Sequence, residues 1–463
     1  MKLKGILVSA ILMLVMLSVT LCFTSCDNIN ENTKLNDVSS ENTSGVDTDN
    51  INDVSTGNTP EQQVLHEYKG LSKDNVQTIN FLDYSNEATE ESLAFTKIKS
   101  GNKNLPFLSK SAIKARFNDT NPTRLERLSG SNVNTIDQAI FGNQNLYQKP
   151  SYQQPYFAGE PRKDIMDLAL ARFNFIRRLA GQHEAVYNEQ FHIEAQYGAW
   201  ICAMQNKTSG SHSISAYTRP ENISDDVWQL VKTGISQCMY LRPQAANSVD
   251  VYMGDNGNAN LGHRVNLLNH YTSQVGFGVA SANPASIVED LGSRWTKASG
   301  ATAFRFNWLK KDDYKDFEYD MVSWPPAGYF PAKTALFDSG VDKARWSIYF
   351  DGNKYALQTT ADANGKKTNV IVTKKVDGTI VRTWNFAEIL ANNFKSDARG
   401  GISYGGTTIF YLTYQDSTGA VKNESFEDGT IFTVRFENLV DKVNGGFTNL
   451  EYGVEFFDMS KVQ

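Results

Sequence analysis

Between Arg162 and Ala203 apolar residues recur at steps of three and four. Ile165, Leu168, Leu170, Phe173, Phe175 and Ile176 predict one helix, with Arg177 and Arg178 in its last turn and Gly181 as its stop. Ile193, Ala195, Ala199, Trp200 and Ala203 predict a second that opens at Asn188. A third runs from Asp225, placed as its cap, to Thr233, with Gly234 as its stop. Val249 to Met253 and Arg264 to Leu268 add two shorter helices, and Val275-Gly276-Phe277-Gly278-Val279-Ala280 alternates as a strand does. After about Ala301 the helical spacing fades. Trp346–Phe350, Asn369–Thr373, Thr379–Thr383, Thr408–Leu412, Ile431–Phe436 and Tyr452–Phe457 carry the β-branched and aromatic content of strands. Asp351-Gly352, Asp377-Gly378 and Asp428-Gly429 supply turns beside them. With a helix only at Phe386 to Phe394, residues 300–463 predict an antiparallel β-sandwich, and the chain divides near residue 300. Residues 61–154 are mixed, with a strand over Thr78–Leu82 and a short helix near Ala112, and offer no chemistry.

The first sixty residues have a different pattern. Lys2 and Lys4 precede an apolar run from Ile6 to Leu21, followed by Phe23-Thr24-Ser25-Cys26. This resembles a bacterial lipoprotein signal, which implies removal of residues 1–25 and acylation of Cys26. The alternative is an uncleaved signal anchor, since the run is nearly long enough to span a bilayer. Both alternatives place the rest outside the cytoplasm, on the cell surface or the periplasmic face of a bacterial membrane. Residues 26–60 are dominated by Asn, Asp, Ser and Thr and hold six Ile, Leu or Val, too few to offset the entropy of ordering. They predict a disordered tether with a root-mean-square reach of about 30 Å.

Composition changes little in this picture. The 463 residues are 40% hydrophobic with a formal net charge of −6, enough apolar material for more than one ordinary core. An excess of acid argues against nucleic acid as a partner. Four cysteines rule out a disulfide-rich scaffold. With Cys22 in the signal and Cys26 at the anchor, Cys202 and Cys238 remain, either as a disulfide or as two buried thiols.

Gly262-His263-Arg264-Val265-Asn266-Leu267-Leu268-Asn269, followed by the Gly276-Phe277-Gly278 strand, resembles the signature of the CAP superfamily, the SCP-like group of cysteine-rich secretory, antigen 5 and pathogenesis-related proteins. Phe173–Arg177, Ala195-Gln196, Ser211-His212-Ser213 and Val249–Met253 fit upstream, so that the resemblance covers residues 155–285. Ser323-Trp324-Pro325-Pro326 and Arg345-Trp346-Ser347 resemble the C-terminal extension of some bacterial members. Membership implies an α+β chain: an α-β-α sandwich CAP domain with a central antiparallel sheet, followed by an Ig-like antiparallel C-terminal domain.

The family's groove presents two histidines and two acidic residues, donors that suit Zn2+. Here the histidines map to His212 and His263, and one acid maps to Asp255, a methylene shorter than glutamate. The second acid is missing. Glu221-Asn222-Ile223 matches its local step but precedes the third helix, whereas chain order places the step near Gln237 and Cys238, where there is no carboxylate. The ligand groove is thus His212, Gln237, Asp255 and His263, with His212, Asp255 and His263 as the candidate zinc donors. His183, His192 and His270 have no placed role and are expected at the surface or along helices.

Two functions follow. The first is a non-enzymatic, membrane-anchored surface protein that binds an extracellular ligand, lipid or protein. The second is a hydrolase in which zinc or a histidine activates water. Neither a Gly-x-Ser-x-Gly elbow nor a His-Glu-x-x-His helix is present.

Overall fold

The computed structural model describes residues 80–122, 146–148, 150–207, 212–241, 245–255, 261–280, 301–306, 318–334, 336–337, 344–386 and 407–463. The signal, Cys26, the tether, Ser211 and the helix expected beyond Phe386 lie outside these residues. The architecture is mixed helix and sheet. Among the described residues no helix is long and apolar enough to cross a membrane.

The helices α1 (Lys110–Asp119), α2 (Lys163–Leu179), α3 (Glu189–Met204), α4 (Asp225–Gln237), α5 (Ala245–Gly254) and α6 (Gly262–Leu267) form where the spacing placed them. Asn188 caps α3 through a bond from the Phe191 N–H to its side chain. The cap of α4 is Ser224, not Asp225, and accepts from the Val227 N–H. Nor does Gly234 stop that helix. It lies inside α4, where an added Cβ would fall 2.4 Å from the Glu194 carbonyl oxygen of α3, so the glycine permits contact between the two helices.

Four strands, β1 (Val186–Tyr187), β2 (Cys238–Leu241), β3 (Gln274–Ala280) and β4 (Ala301–Phe306), form one sheet in the order β1-β3-β4-β2. The β3–β4 and β4–β2 pairs are antiparallel, with Gly278 opposite Ala303 and Cys238 opposite Arg305. The β1–β3 pair is parallel, a departure from the antiparallel sheet expected. The Gly-Phe-Gly spacing of β3 has a steric cause: a Cβ on Gly276 would lie 2.2 Å from the His192 backbone nitrogen and one on Gly278 2.3 Å from the Ala195 carbonyl carbon. Helix α3 rests directly on the strand. It is buried on both sides, since α4 covers its other face, which explains why it is apolar almost all round.

Further along lie β5 (Met321–Trp324), β6 (Gly328–Pro331), β7 (Arg345–Phe350), β8 (Asn369–Val376), β9 (Thr379–Asn385), β10 (Thr408–Tyr411), β11 (Thr430–Asp441) and β12 (Phe447–Phe457). One sheet has the order β10-β7-β5; the other runs β6-β12-β11-β8-β9, with Tyr355–Ala356 also paired to β11. The β6–β12 pair is parallel, Gly328 lying opposite Val454, so this region is not antiparallel throughout. Aromatic rings join the sheets: Trp346 lies 5.8 Å from Phe432, and Phe350 lies 4.8 Å from Phe436.

The core does not end at residue 300. Strand β4 completes the first sheet, past the expected boundary at 285, and one cluster of buried side chains runs from Leu108 through Phe173, Phe277 and Phe304 to Trp346, Phe432 and Phe457. A second cluster fills the space among α3, α4 and the other face of the first sheet. Residues 80–122 bind both halves. The Gly101 N–H donates to Met321 (2.8 Å), that of Asn102 donates to Gly181 (2.8 Å), and Lys110 pairs with Glu455 (2.5 Å). Asn80–Leu82, expected as part of a strand, is irregular.

Candidate functional site

The Gly-His-Arg segment opens α6, facing the end of α5. Asp255 follows α5 in the left-handed region (φ 48°), and its buried carboxylate spans the gap between the two helices. Oδ2 accepts from the His263 backbone N–H at 3.0 Å and Oδ1 lies 2.7 Å from His263 Nδ1. A carboxylate only accepts, so Nδ1 carries the proton and the imidazole is held as one tautomer. Nε2 has no hydrogen-bond partner among the described residues, and the side chain is 25% exposed. Beneath it lies Tyr252, whose ring centroid is 4.9 Å from that of His263 and 5.0 Å from that of Phe304. Burial, with Cys238 and Asp255 nearby, keeps the Tyr252 phenol protonated far above its usual range.

Of the four groove residues expected, Asp255 and His263 are brought into direct contact. His212 is exposed, with Nδ1 3.2 Å from the Ile235 carbonyl oxygen near the end of α4. Gln237 is the exposed last residue of α4. Cys238 opens β2 as a buried thiol, and Cys202 is also a buried thiol, its sulfur 3.3 Å from the Tyr217 hydroxyl. The two do not form a cystine. Glu221 is exposed, in the turn before α4.

The zinc donor set does not fit this arrangement. Both Asp255 oxygens are engaged by His263, and among the described residues no three His, Cys, Asp or Glu side chains group as metal ligands.

Two further histidines are buried, His192 within a helix as expected and His270 in a turn, contrary to expectation. His192, on α3, is fully buried and its Nδ1 bonds the Phe277 carbonyl; burial lowers its pKa to about 4, the carbonyl partly opposing that shift. His270 is buried against Tyr271 and Tyr319, and burial followed by the nearby Arg177 lowers its pKa to about 3. Neither is a surface group.

What the motif alone did not reveal is how Asp255 is held. Buried Arg264 donates from Nε to Met253 O (2.6 Å) and from Nη1 to Arg345 O (2.6 Å) and Ser347 Oγ (3.3 Å). Burial, with the Arg345 charge beside it, lowers the Arg264 pKa to about 9. Arg345 Nη2 in turn donates to Gly254 O (3.0 Å) and Asp255 O (2.5 Å). The Arg345-Trp346-Ser347 run was visible as part of the C-terminal resemblance, but only its place on β7 shows it reaching α5.

Compared with models of known protein families, with curated proteins and with solved structures, the chain matches none.

Proposed function

We propose that this is an extracytoplasmic lipoprotein of the CAP type, anchored through acyl chains on Cys26, whose groove beside His263 binds an extracellular ligand, lipid or protein, without turning it over. Its α-β-α sandwich is then the first sheet with α3 on one face and α2 and α5 on the other, and the two C-terminal sheets are its Ig-like domain. Support comes from the Gly262-His263-Arg264 and Gly276-Phe277-Gly278 segments and from the helices on both faces of the sheet that contains the second of them.

The observation that carries the reading is the pair of bonds from His263 to Asp255. They use both carboxylate oxygens on one residue, Oδ2 on its backbone N–H and Oδ1 on its imidazole, and leave Nε2 as the group that meets a ligand. Among the described residues no serine, threonine or cysteine hydrogen-bonds that nitrogen. The arrangement suits recognition through one oriented acceptor. The same pair favours one second reading, a hydrolase in which Nε2 draws a proton from water and Asp255 steadies the resulting imidazolium. Chromogenic ester, amide and glycoside substrates separate the two. The binding reading expects no turnover that depends on His263; turnover by the wild type that disappears in His263→Ala would overturn it. For the anchor, labelled fatty acid is expected on the wild type and not on Cys26→Ser, and label retained by that variant would contradict it.

A further inference from the structure

The last carbonyls of a helix lack partners within the helix and carry partial negative charge. At the end of α5 three consecutive carbonyls, of Met253, Gly254 and Asp255, each accept from an arginine. Arg264 takes the first and Arg345 the other two. The arginines are themselves linked, since the Arg345 carbonyl and the Ser347 hydroxyl both accept from Arg264 Nη1. Asp255 is the residue at which the chain turns into the left-handed region, a conformation that costs a non-glycine residue free energy and must be held by its surroundings. Its carboxylate can meet His263 only while that turn is maintained.

From this arrangement we propose that Arg345, on a strand of the C-terminal sheet, is a positioning residue for the Asp255–His263 site. Its Nη2 amino group fixes the Gly254 and Asp255 carbonyls, the turn at Asp255 aims the carboxylate, and the carboxylate orients the imidazole. The C-terminal sheets are then more than a spacer. They hold the turn that aims Asp255, and a force or partner acting on β7 reaches His263 through two side chains. This deepens the function proposed above and rests on Asp255 and His263 being its site.

The test is hydrogen exchange of the His263 backbone amide, which donates to Asp255, expressed relative to the Val279 amide, which donates to Gln196 within the first layer. The Val279 amide is the reference for opening of the first layer as a whole. Arg345→Ala is expected to raise it at least about tenfold, as loss of hydrogen bonds from a charged donor implies. It should also reduce the fraction of His263 carrying its proton on Nδ1, seen in 15N spectra of the imidazole, which a purely structural role would leave unchanged. Arg345→Lys, which keeps the charge but replaces the planar, pre-organised Nη2 group with a flexible ammonium, serves if the alanine variant does not fold and is expected to give an intermediate ratio. Asp255→Ala separates the two claims. If it raises the ratio while both Arg345 variants leave ratio and tautomer as in the wild type, the positioning role is overturned and the site stands. If Asp255→Ala also changes nothing, the site itself is overturned.

Discussion

His192 shows how far one side chain's environment can depart from what its neighbours in sequence suggest. It sits inside α3, bonded to the Phe277 carbonyl, with a pKa lowered to about 4. An unfolded chain takes up that proton near pH 6.5 and the folded one does not until about pH 4, so the unfolded state binds more protons in this window. The contribution is complete above pH 6.5 and is lost on acidification toward pH 4, amounting to roughly 3 kcal/mol. Urea unfolding at pH 7 and pH 4.5 should show this loss, and a midpoint unchanged between them would contradict the burial. Gly278 gives a second residue-scale expectation. In Gly278→Ala the new methyl group meets backbone rather than a movable side chain, so about 3 kcal/mol or more of stability should disappear in the same measurement. Both glycines of β3 were legible as part of a motif, and His263 and Asp255 as a pair of site residues. The burial of His192 was not, because a helix covered on both sides shows no polar face from which the orientation of a histidine can be inferred.

Between elements, the helices and most strands appear where periodicity placed them, while the signals for their ends were ambiguous. A glycine after an apolar run reads the same whether it ends a helix, as Gly181 does after α2, or admits a neighbouring helix, as Gly234 does within α4. Contacts between elements left no periodic trace at all. Arg172 of α2 is buried and forms a two-pronged pair with Asp250 of α5, at 2.7 and 2.9 Å, which fixes the helix that leads into Asp255. Asp250→Ala would leave that arginine buried without its carboxylate and should cost about 3 to 5 kcal/mol. Arg172→Met combined with Asp250→Leu should recover much of it, since apolar replacement of both partners removes the uncompensated charge. Denaturant midpoints of the single and double variants check this, and equal losses in both would contradict it.

Across the whole molecule, the change from helical to strand periodicity near residue 300 marks a change in the kind of element and not the end of a core. The cluster running from Leu108 to Phe457 and the ties from residues 80–122 to both halves make these parts interdependent. Calorimetry of residues 80–463 should therefore give one cooperative transition, whereas two separable transitions would show independent domains. The same continuity brings Arg345 to Asp255 and thus the C-terminal sheets to the site. What lies between Asp255 and His263 is the centre of that arrangement, and 15N-edited NMR of the imidazole measures it directly. The wild type should show His263 with its proton on Nδ1, a preference that disappears in Asp255→Ala; a proton on Nε2, or the same spectrum in both proteins, would contradict it.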